Sequence, residues 1–310
     1  MTIDILISEV GPRDGLQSLQ RTMATAHKKR WIQAQYEAGT REIEVGSFVP
    51  PKLLPQMADT AEVVGWATKN LPGLDVAVLV PNLRGLTDAA GAGAHKVSIP
   101  FSMSETHSLK NVRKTHDEML EEIRRCVAFL ATLPADQRPH FEVGLSTAFG
   151  CTLEGEVPEA RVIRLAEAVV EIGVDEVGLS DTTGYGNPAQ LKRLANGIWT
   201  AVGKERMTGV HLHNTRGQGL ANALMAVELG FTTVDSSLGG LGGCPFAPGA
   251  SGNIVTEDLV WMLEAMGLRT GIDLEALLAV RQLVRDALPG EPLYGFLPDA
   301  GLPKGFVSAS

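Results

Sequence analysis

Short apolar runs rich in β-branched residues alternate along this chain with longer stretches whose apolar positions recur at helical spacing. This alternation is typical of repeated βα units that build a parallel sheet. The runs predicted as strands are residues 5–10, 42–46, 76–80, 96–99, 141–145, 176–179, 209–213 and 232–236. The predicted helices between them include residues 26–38, 56–70, 107–133, 159–172, 188–202 and 217–229.

Eight strands with a helix after each predict an α/β fold, the (β/α)8 TIM barrel, in preference to the doubly wound open sheet that the same elements also allow. A length of 310 residues suits one catalytic barrel domain spanning residues 1–310. Further helices are predicted over residues 256–266 and 274–287, before a tail rich in Pro and Gly. We expect residues 256–310 to form a short helical C-terminal extension that covers the barrel and carries no catalytic residues.

The charge balance argues against nucleic acid as a partner. The chain has 27 basic and 36 acidic residues, a formal net charge of -9, and no basic tract that could follow a phosphate backbone. Hydrophobic residues make up 44% and charged residues 20%, which is the composition of a folded globular protein. Nucleic acid is therefore not expected as a partner.

The N-terminal residues lack the basic region of a secretory signal, and no apolar run approaches the roughly 18 residues of a membrane span. Cys126, Cys151 and Cys244 are far apart and match no metal-finger spacing, which suits reduced thiols. We therefore expect a cytoplasmic protein without a membrane partner.

Unusual polar residues stand where the predicted strands end. In a TIM barrel the catalytic groups lie at the carboxyl ends of the strands, so these residues are predicted to share one mouth. They are Arg13 and Asp14 after the first strand, Glu44 and Ser47 at the second, Thr147 after the fifth, Asp181 after the sixth, His211 and His213 at the seventh, and Ser236 and Ser237 at the eighth.

His211 and His213 are two residues apart on a strand, so their side chains point to the same side. Alone, such a pair suits either a metal site or structural histidines. On barrel closure only one strand separates Asp14 from this pair, and Asn253 after the eighth strand completes a set of imidazole and oxygen ligands. This set without thiolate favours Mg²⁺ or Mn²⁺, although Zn²⁺ or Co²⁺ would also bind.

Arg13, beside Asp14, is either a structural ion-pair residue or a group that holds a developing enolate oxygen. Glu44 either orients Arg13 or a ligand, or transfers a proton directly. The residues alone leave both pairs of alternatives open.

Cys244 stands in the glycine-rich stretch GGLGGCPFAPGASGN, residues 239–253. The glycines suit a mobile loop over an active site, and a thiol with a pKa near about 8.5 is mostly protonated at neutral pH and can donate a proton to an enolate. The alternatives are a small buried side chain and a phosphate-binding turn. Cys126 and Cys151 are expected to be structural.

Several motifs together resemble the 3-hydroxy-3-methylglutaryl-CoA lyase family, metal-dependent TIM-barrel lyases related to the condensing acyltransferase synthases. They are VGPRDGLQ at 10–17, EVGSFVPPKLLPQMAD at 44–59, the two histidines of the seventh strand, and GLGGCPFAPGASGN at 240–253. The likeness extends to about residue 278, and the cysteine loop is its most specific part.

The resemblance implies retro-aldol cleavage of a 3-hydroxyacyl-CoA into acetyl-CoA and a keto acid such as acetoacetate, the reaction of leucine degradation and ketone-body formation. It also implies a homo-oligomer, dimer or tetramer, and assigns a role to each candidate residue. Asp14, His211, His213 and Asn253 would hold the metal, Asp181 would be the acid/base, Arg13 would stabilise the enolate, Glu44 would support Arg13, and Cys244 would deliver the final proton.

Some positions depart from the family pattern and leave the substrate open. Asn214 and Arg216 replace an acid and an aromatic residue of the family pattern. Glu142 and Gly144 stand where lyases often have Arg and Tyr. Residues 18–20 and the stretch from Phe101 also differ from the family sequence. Citramalyl-CoA or a longer 3-hydroxyglutaryl-CoA is an alternative substrate. A condensing synthase is disfavoured by the cysteine loop, and a non-catalytic barrel by the complete ligand set.

Overall fold

The computed structural model describes residues 2–242 and 252–309. Its parallel strands form a closed barrel of eight in chain order, with β1 hydrogen-bonded to β8. The strands are β1 Leu6–Glu9, β2 Glu42–Ser47, β3 Asp75–Leu79, β4 Lys96–Ser102, β5 His140–Ser146, β6 Glu176–Asp181, β7 Gly209–Leu212 and β8 Thr233–Ser236. The predicted TIM barrel is therefore confirmed.

Helices follow the strands around the outside of the barrel. They are α1 Thr25–Glu37, α2 Thr60–Asn70, α3 Leu83–Ala92, α4 Glu105–Asn111, α5 His116–Leu130, α6 Glu159–Ile172, α7 Pro188–Val202, α8 Gly219–Leu229, α9 Thr256–Ala265, α10 Leu274–Ala287 and α11 Leu297–Ala300. Among these described residues, no helix combines the length and apolarity needed to cross a membrane.

The prediction of one helix over residues 107–133 is wrong, because the chain breaks between α4 and α5. Arg113 has a φ of 58°, a left-handed conformation that no helix continues. Thr115 then starts α5 with a capping box, in which its Oγ1 accepts the Glu118 N–H at 3.2 Å and Glu118 Oε2 accepts the Thr115 N–H at 2.8 Å. The helix α3 was also absent from the prediction.

The barrel has an apolar outer layer and a polar interior. Along β4, Val97, Ile99 and Phe101 are fully buried against the helices, whereas the side chain of Lys96 lies in the barrel interior. Its Nζ is 2.8 Å from Glu142 Oε2 and 3.4 Å from Glu42 Oε1, and the second contact crosses the interior because β2 and β4 are not neighbours. The interior therefore carries charged groups below the mouth.

Glycine on β6 makes room for one of these charges. A Cβ on Gly178 would collide with Oε1 of Glu142. Branched apolar residues usually fill this space in TIM barrels. Here Gly178 leaves space for the Glu142 carboxylate in the barrel interior.

Buried carboxylates join the chain after β8 to the barrel through hydrogen bonds and an ion pair. Glu257, at the start of α9, accepts the Gly239 N–H at 2.9 Å and pairs with Arg281 of α10. Asp258 accepts the Leu297 N–H at 2.8 Å, and α10 lies against α1. The absence of catalytic residues from 256–310 stays a prediction.

Candidate active site

Three of the predicted metal ligands meet at the mouth of the barrel. The Nε2 atoms of His211 and His213 are 3.0 Å apart. Asp14 Oδ2 is 4.0 Å from the first of these nitrogens and 3.9 Å from the second. All three ligand atoms lie within 4.8 Å of one another, so one ion could contact them together.

Asn253, the fourth predicted ligand, lies beside them. Its backbone forms a bridge with His213, and its Nδ2 donates to Asp14 Oδ2 at 2.7 Å and to Leu241 O at 3.2 Å. The Asn253 Oδ1 atom is buried and accepts no hydrogen bond within the described residues. We call Asp14, His211, His213 and Asn253 the metal corner.

The donor atoms of the metal corner fit a divalent cation. The site holds a buried amide oxygen without a hydrogen-bond donor, a carboxylate and two facing imidazole nitrogens. A cation between them would stabilise each of these groups by accepting its lone pair. Burial, together with the nearby His211, lowers the pKa of His213 to about 4, so His213 is neutral at physiological pH and can offer a lone pair. Burial opposes ionisation of Asp14, but Arg13 and the histidines outweigh it and lower its pKa.

Asp14 and Arg13 reach the mouth because a π-helical turn, Gly11–Gly15, follows β1. The carbonyl of Val10 accepts the N–H groups of Arg13 at 3.1 Å and Asp14 at 2.7 Å. A Cβ at Gly11 would approach Trp31 to within 2.8 Å, so the tight turn requires glycine there. Such π-turns are frequent at functional sites.

Arg13 is held between two carboxylates. Its Nε donates to Glu44 Oε2 at 2.5 Å and its Nη1 to Asp14 Oδ1 at 2.6 Å. Ser98 Oγ donates to the other oxygen of Glu44 at 3.2 Å. Burial raises the pKa of Glu44, while the positive charge of Arg13 opposes this shift. This geometry supports the alternative in which Glu44 orients Arg13.

Asp181 ends β6 and is almost completely buried. Its two oxygens accept the N–H groups of Tyr185 and Gly186, each at 2.9 Å, so the carboxylate also holds the turn that follows. Burial raises its pKa to about 6, against the opposing effect of these hydrogen bonds and of His211. A carboxyl group with this pKa suits proton transfer near neutral pH.

Arg216, one of the departures from the family pattern, braces the same turn. Its Nη1 donates to the carbonyls of Thr183 at 3.0 Å and Gly184 at 3.1 Å, and its guanidinium carbon lies 4.4 Å from the centre of the Tyr185 ring. We call residues 181–187, with Arg216 against them, the Asp181 turn.

Cys244 lies outside the described residues, so its placement stays a prediction. The described residues on either side of that segment, Leu241 and Asn253, contact each other in the metal corner. Cys126 and Cys151 are buried free cysteines, and burial raises the pKa of Cys126 to about 12, which is the chemistry of an inert thiol.

Sequence reasoning missed Asp235, an acid on β8. Its Oδ2 is 3.0 Å from His211 Nδ1, on the side of the imidazole opposite the metal corner. The available signal was an acid in an otherwise apolar and hydroxyl-bearing strand, next to the strand that carries the histidines.

Glu9, the last residue of β1, was missed as well. It is fully buried and accepts the N–H groups of Gly11 and Leu238, each at 2.9 Å, and the hydroxyl of Thr256 at 2.8 Å. Burial raises its pKa to about 8. Glu9 thereby ties the turn that carries Arg13 to the chain after β8.

Known proteins share this architecture and its motifs. The HMGL-like family model matches residues 4–284. The hydroxymethylglutaryl-CoA lyase of Bacillus subtilis is 40% identical over 93% of this chain and 94% of its own length, and the mitochondrial enzyme of Macaca fascicularis is 42% identical over 92% and 86%. An HMG-CoA lyase structure from Acinetobacter baumannii, in complex with coenzyme A and 3-methylmalate, has a TM-score of 0.89 and 38% identity, with 99% of each chain covered. The chain therefore belongs to the HMGL-like family, as its motifs indicate.

Proposed function

We propose that this protein is a metal-dependent carbon–carbon lyase that cleaves 3-hydroxy-3-methylglutaryl-CoA into acetyl-CoA and acetoacetate. The observation that carries the proposal is the meeting of Asp14, His211 and His213 beside Arg13 at the barrel mouth. The identity of about 40% with named lyases over nearly the whole chain supports the same reaction. The alternatives of citramalyl-CoA cleavage and of condensation are not favoured by these relatives.

The reaction requires one base, one site for negative charge and one acid. The proton leaves the hydroxyl oxygen on C3, the C3–O bond becomes the ketone of acetoacetate, and the electrons of the C2–C3 bond form the enolate of the acetyl thioester. A proton added to that enolate carbon gives the methyl group of acetyl-CoA. A divalent cation, which we propose to be Mg²⁺ or Mn²⁺, would acidify the substrate hydroxyl when bound in the metal corner.

We assign the base role to Asp181, because a pKa of about 6 leaves it ionised at neutral pH yet able to accept a proton. Arg13 would donate hydrogen bonds to the enolate oxygen, where a preorganised charge stabilises the transition state. Glu44 fixes the guanidinium for that task through the Nε bond. Cys244 would protonate the enolate carbon, a role that rests on the sequence alone.

An assay with 3-hydroxy-3-methylglutaryl-CoA and Mg²⁺ or Mn²⁺ tests the proposal, with acetoacetate and acetyl-CoA measured separately. We expect equimolar products, their loss on chelation, and their loss in His211→Ala. His140→Ala is the matched control, because His140 begins β5 at the opposite end of the barrel and is 45% exposed. No acetoacetate, together with condensation of acetyl-CoA and an oxo acid, would refute the lyase direction.

We further propose a cytoplasmic homo-oligomer, dimer or tetramer, that takes an acyl-CoA and no nucleic acid. The net charge of -9 supports the last point. Light scattering of the purified chain measures the assembly, and cell fractionation measures the location.

A further inference from the structure

We propose that Asp235 is a positioning residue, which sets the tautomer and ring orientation of His211 for metal binding. The inference deepens the proposed function and rests on its metal site. It starts from strand register: His211 of β7 and Asp235 of β8 are directly paired. The neighbouring Val210 and Val234 are buried on the outer face, so both polar side chains lie on the interior face.

The hydrogen bond between them determines which nitrogen of His211 is available. Asp235 Oδ2, 3.0 Å from Nδ1, is an acceptor when ionised, so Nδ1 must carry the proton. In the neutral imidazole Nε2 then keeps its lone pair, and Nε2 is the atom that faces Asp14 and His213. Carboxylates commonly orient metal-binding histidines in this way.

His213 has no equivalent support in the described structure. Its Nδ1 is buried and has no hydrogen-bond partner among the described residues. The two histidines are therefore unequal, since only His211 is held in a defined tautomer. We therefore expect Asp235 to orient the imidazole of His211 and not that of His213.

A general electrostatic effect is the competing explanation, because Asp235 also influences Arg13, Glu44 and Lys96 through its charge. Glu142 provides the matched control. It is another interior carboxylate, but it bonds to Lys96 at 2.8 Å. If charge alone mattered, Glu142→Gln would weaken metal binding as Asp235→Asn does.

Calorimetric titration with Mn²⁺ tests the proposal on the full chain of the wild type, Asp235→Ala, Asp235→Asn and Glu142→Gln. Loss of an orienting partner typically weakens metal affinity by about 10- to 100-fold. We expect that loss in Asp235→Ala, a smaller loss in Asp235→Asn, whose amide oxygen can still accept a hydrogen bond from Nδ1–H, and no loss in Glu142→Gln. Nitrogen NMR of the metal-free protein, recorded at a pH where the His211 imidazole is neutral, should show the Nδ1–H tautomer of His211 in the wild type and a tautomer mixture in Asp235→Ala.

Wild-type affinity and an unchanged tautomer in both Asp235 variants would overturn the inference while leaving the metal site intact. Equal weakening in Glu142→Gln would also overturn it, in favour of a general charge effect. If the wild type itself bound no Mn²⁺, the proposed metal site would fail and the inference with it. Asp235→Asn keeps the test valid if Asp235→Ala does not fold.

Discussion

The metal corner and the Asp181 turn are both buried and polar, but they satisfy their polar groups in opposite ways. In the metal corner, Asn253 Oδ1 and His213 Nδ1 have no hydrogen-bond partner among the described residues. In the Asp181 turn, both oxygens of Asp181 accept backbone N–H groups, and Arg216 closes the turn from outside. One region holds groups for a ligand, whereas the other completes its own hydrogen bonds.

The difference predicts which residues serve function alone and which also stabilise the fold. Buried polar groups without partners cost about 1–3 kcal/mol each, so Asn253 Oδ1 destabilises the chain until a cation binds, and His213 Nδ1, which is not the nitrogen that faces Asp14, does so with or without a cation. The hydrogen bonds of the Asp181 turn form within the chain itself, so they contribute to stability with or without a bound cation. Substitutions in the first region should therefore affect function alone, and substitutions in the second should affect both.

The largest expected effect is that of His213→Ala. Losing several kcal/mol of charge stabilisation corresponds to a fall in kcat/KM of about 1000-fold or more. In EDTA, however, the free energy of unfolding should stay close to that of the wild type, because an unpaired buried nitrogen has been removed. Steady-state kinetics and urea unfolding measure the two quantities. A large loss of stability in EDTA would contradict the description of this region.

Cys244→Ala should lower turnover by about 100- to 10,000-fold, the usual contribution of a positioned acid. Metal content and unfolding temperature should not change, so Cys244 would resemble the residues of the metal corner in affecting function but not stability. Cys151→Ala is the matched thiol control, because Cys151 is buried and free. Turnover near the wild-type value would remove Cys244 from the mechanism.

Asp181→Asn should lower both the turnover and the free energy of unfolding. Turnover should fall by about 100-fold or more with the loss of the base. One backbone N–H of the turn would then face an amide nitrogen, which should cost about 1–3 kcal/mol of stability in EDTA below pH 3.8, where the carboxyl group of the wild type is protonated. Unfolding that matches the wild type would mean that the hydrogen bonds of Tyr185 and Gly186 do not stabilise the turn.

The raised pKa of Asp181 gives a pH test of the same region. Its pKa rises from 3.8 to about 6 on folding, so the folded state holds this proton more tightly than the unfolded state. Its contribution to stability is therefore present below pH 3.8 and is lost as the pH rises to about 6. Relative to Asp181→Asn, the wild type should lose stability as the pH rises from 3.8 to about 6. Its kcat/KM should decrease as the pH is lowered below about 6, because the base becomes protonated. A difference in unfolding free energy that is constant across this range would contradict the shifted pKa.

The two regions also differ in how far sequence could predict them. The metal corner was predicted because three ligands lie at or just after strand ends, which barrel closure brings together, and the fourth, Asn253, lies in the glycine-rich stretch that follows β8. Asp235 and Glu9 were missed because their partners, His211 and Leu238, are set by strand register and loop packing between segments distant in sequence. Thr115 and Glu118 did carry a readable capping signal for the break before α5, whereas the left-handed Arg113 gave none.

The smallest expected effect separates specificity from stability within the Asp181 turn. Arg216→Tyr removes hydrogen bonds to two carbonyls, so stability should fall by about 1 kcal/mol. If the turn borders the substrate, as the proposed base role of Asp181 requires, the ratio of kcat/KM values across a panel of 3-hydroxyacyl-CoA esters should change by about 10-fold, the scale of a pocket contact. Arg206→Tyr is the matched control, since Arg206 also donates to two carbonyls, those of Val174 and Asp175, but does so before β6 at the opposite end of the barrel. We expect it to lose similar stability and to keep the wild-type ratio. Equal ratios in both variants would leave Arg216 a purely structural role, and the Asp181 turn would then influence the reaction through Asp181 alone.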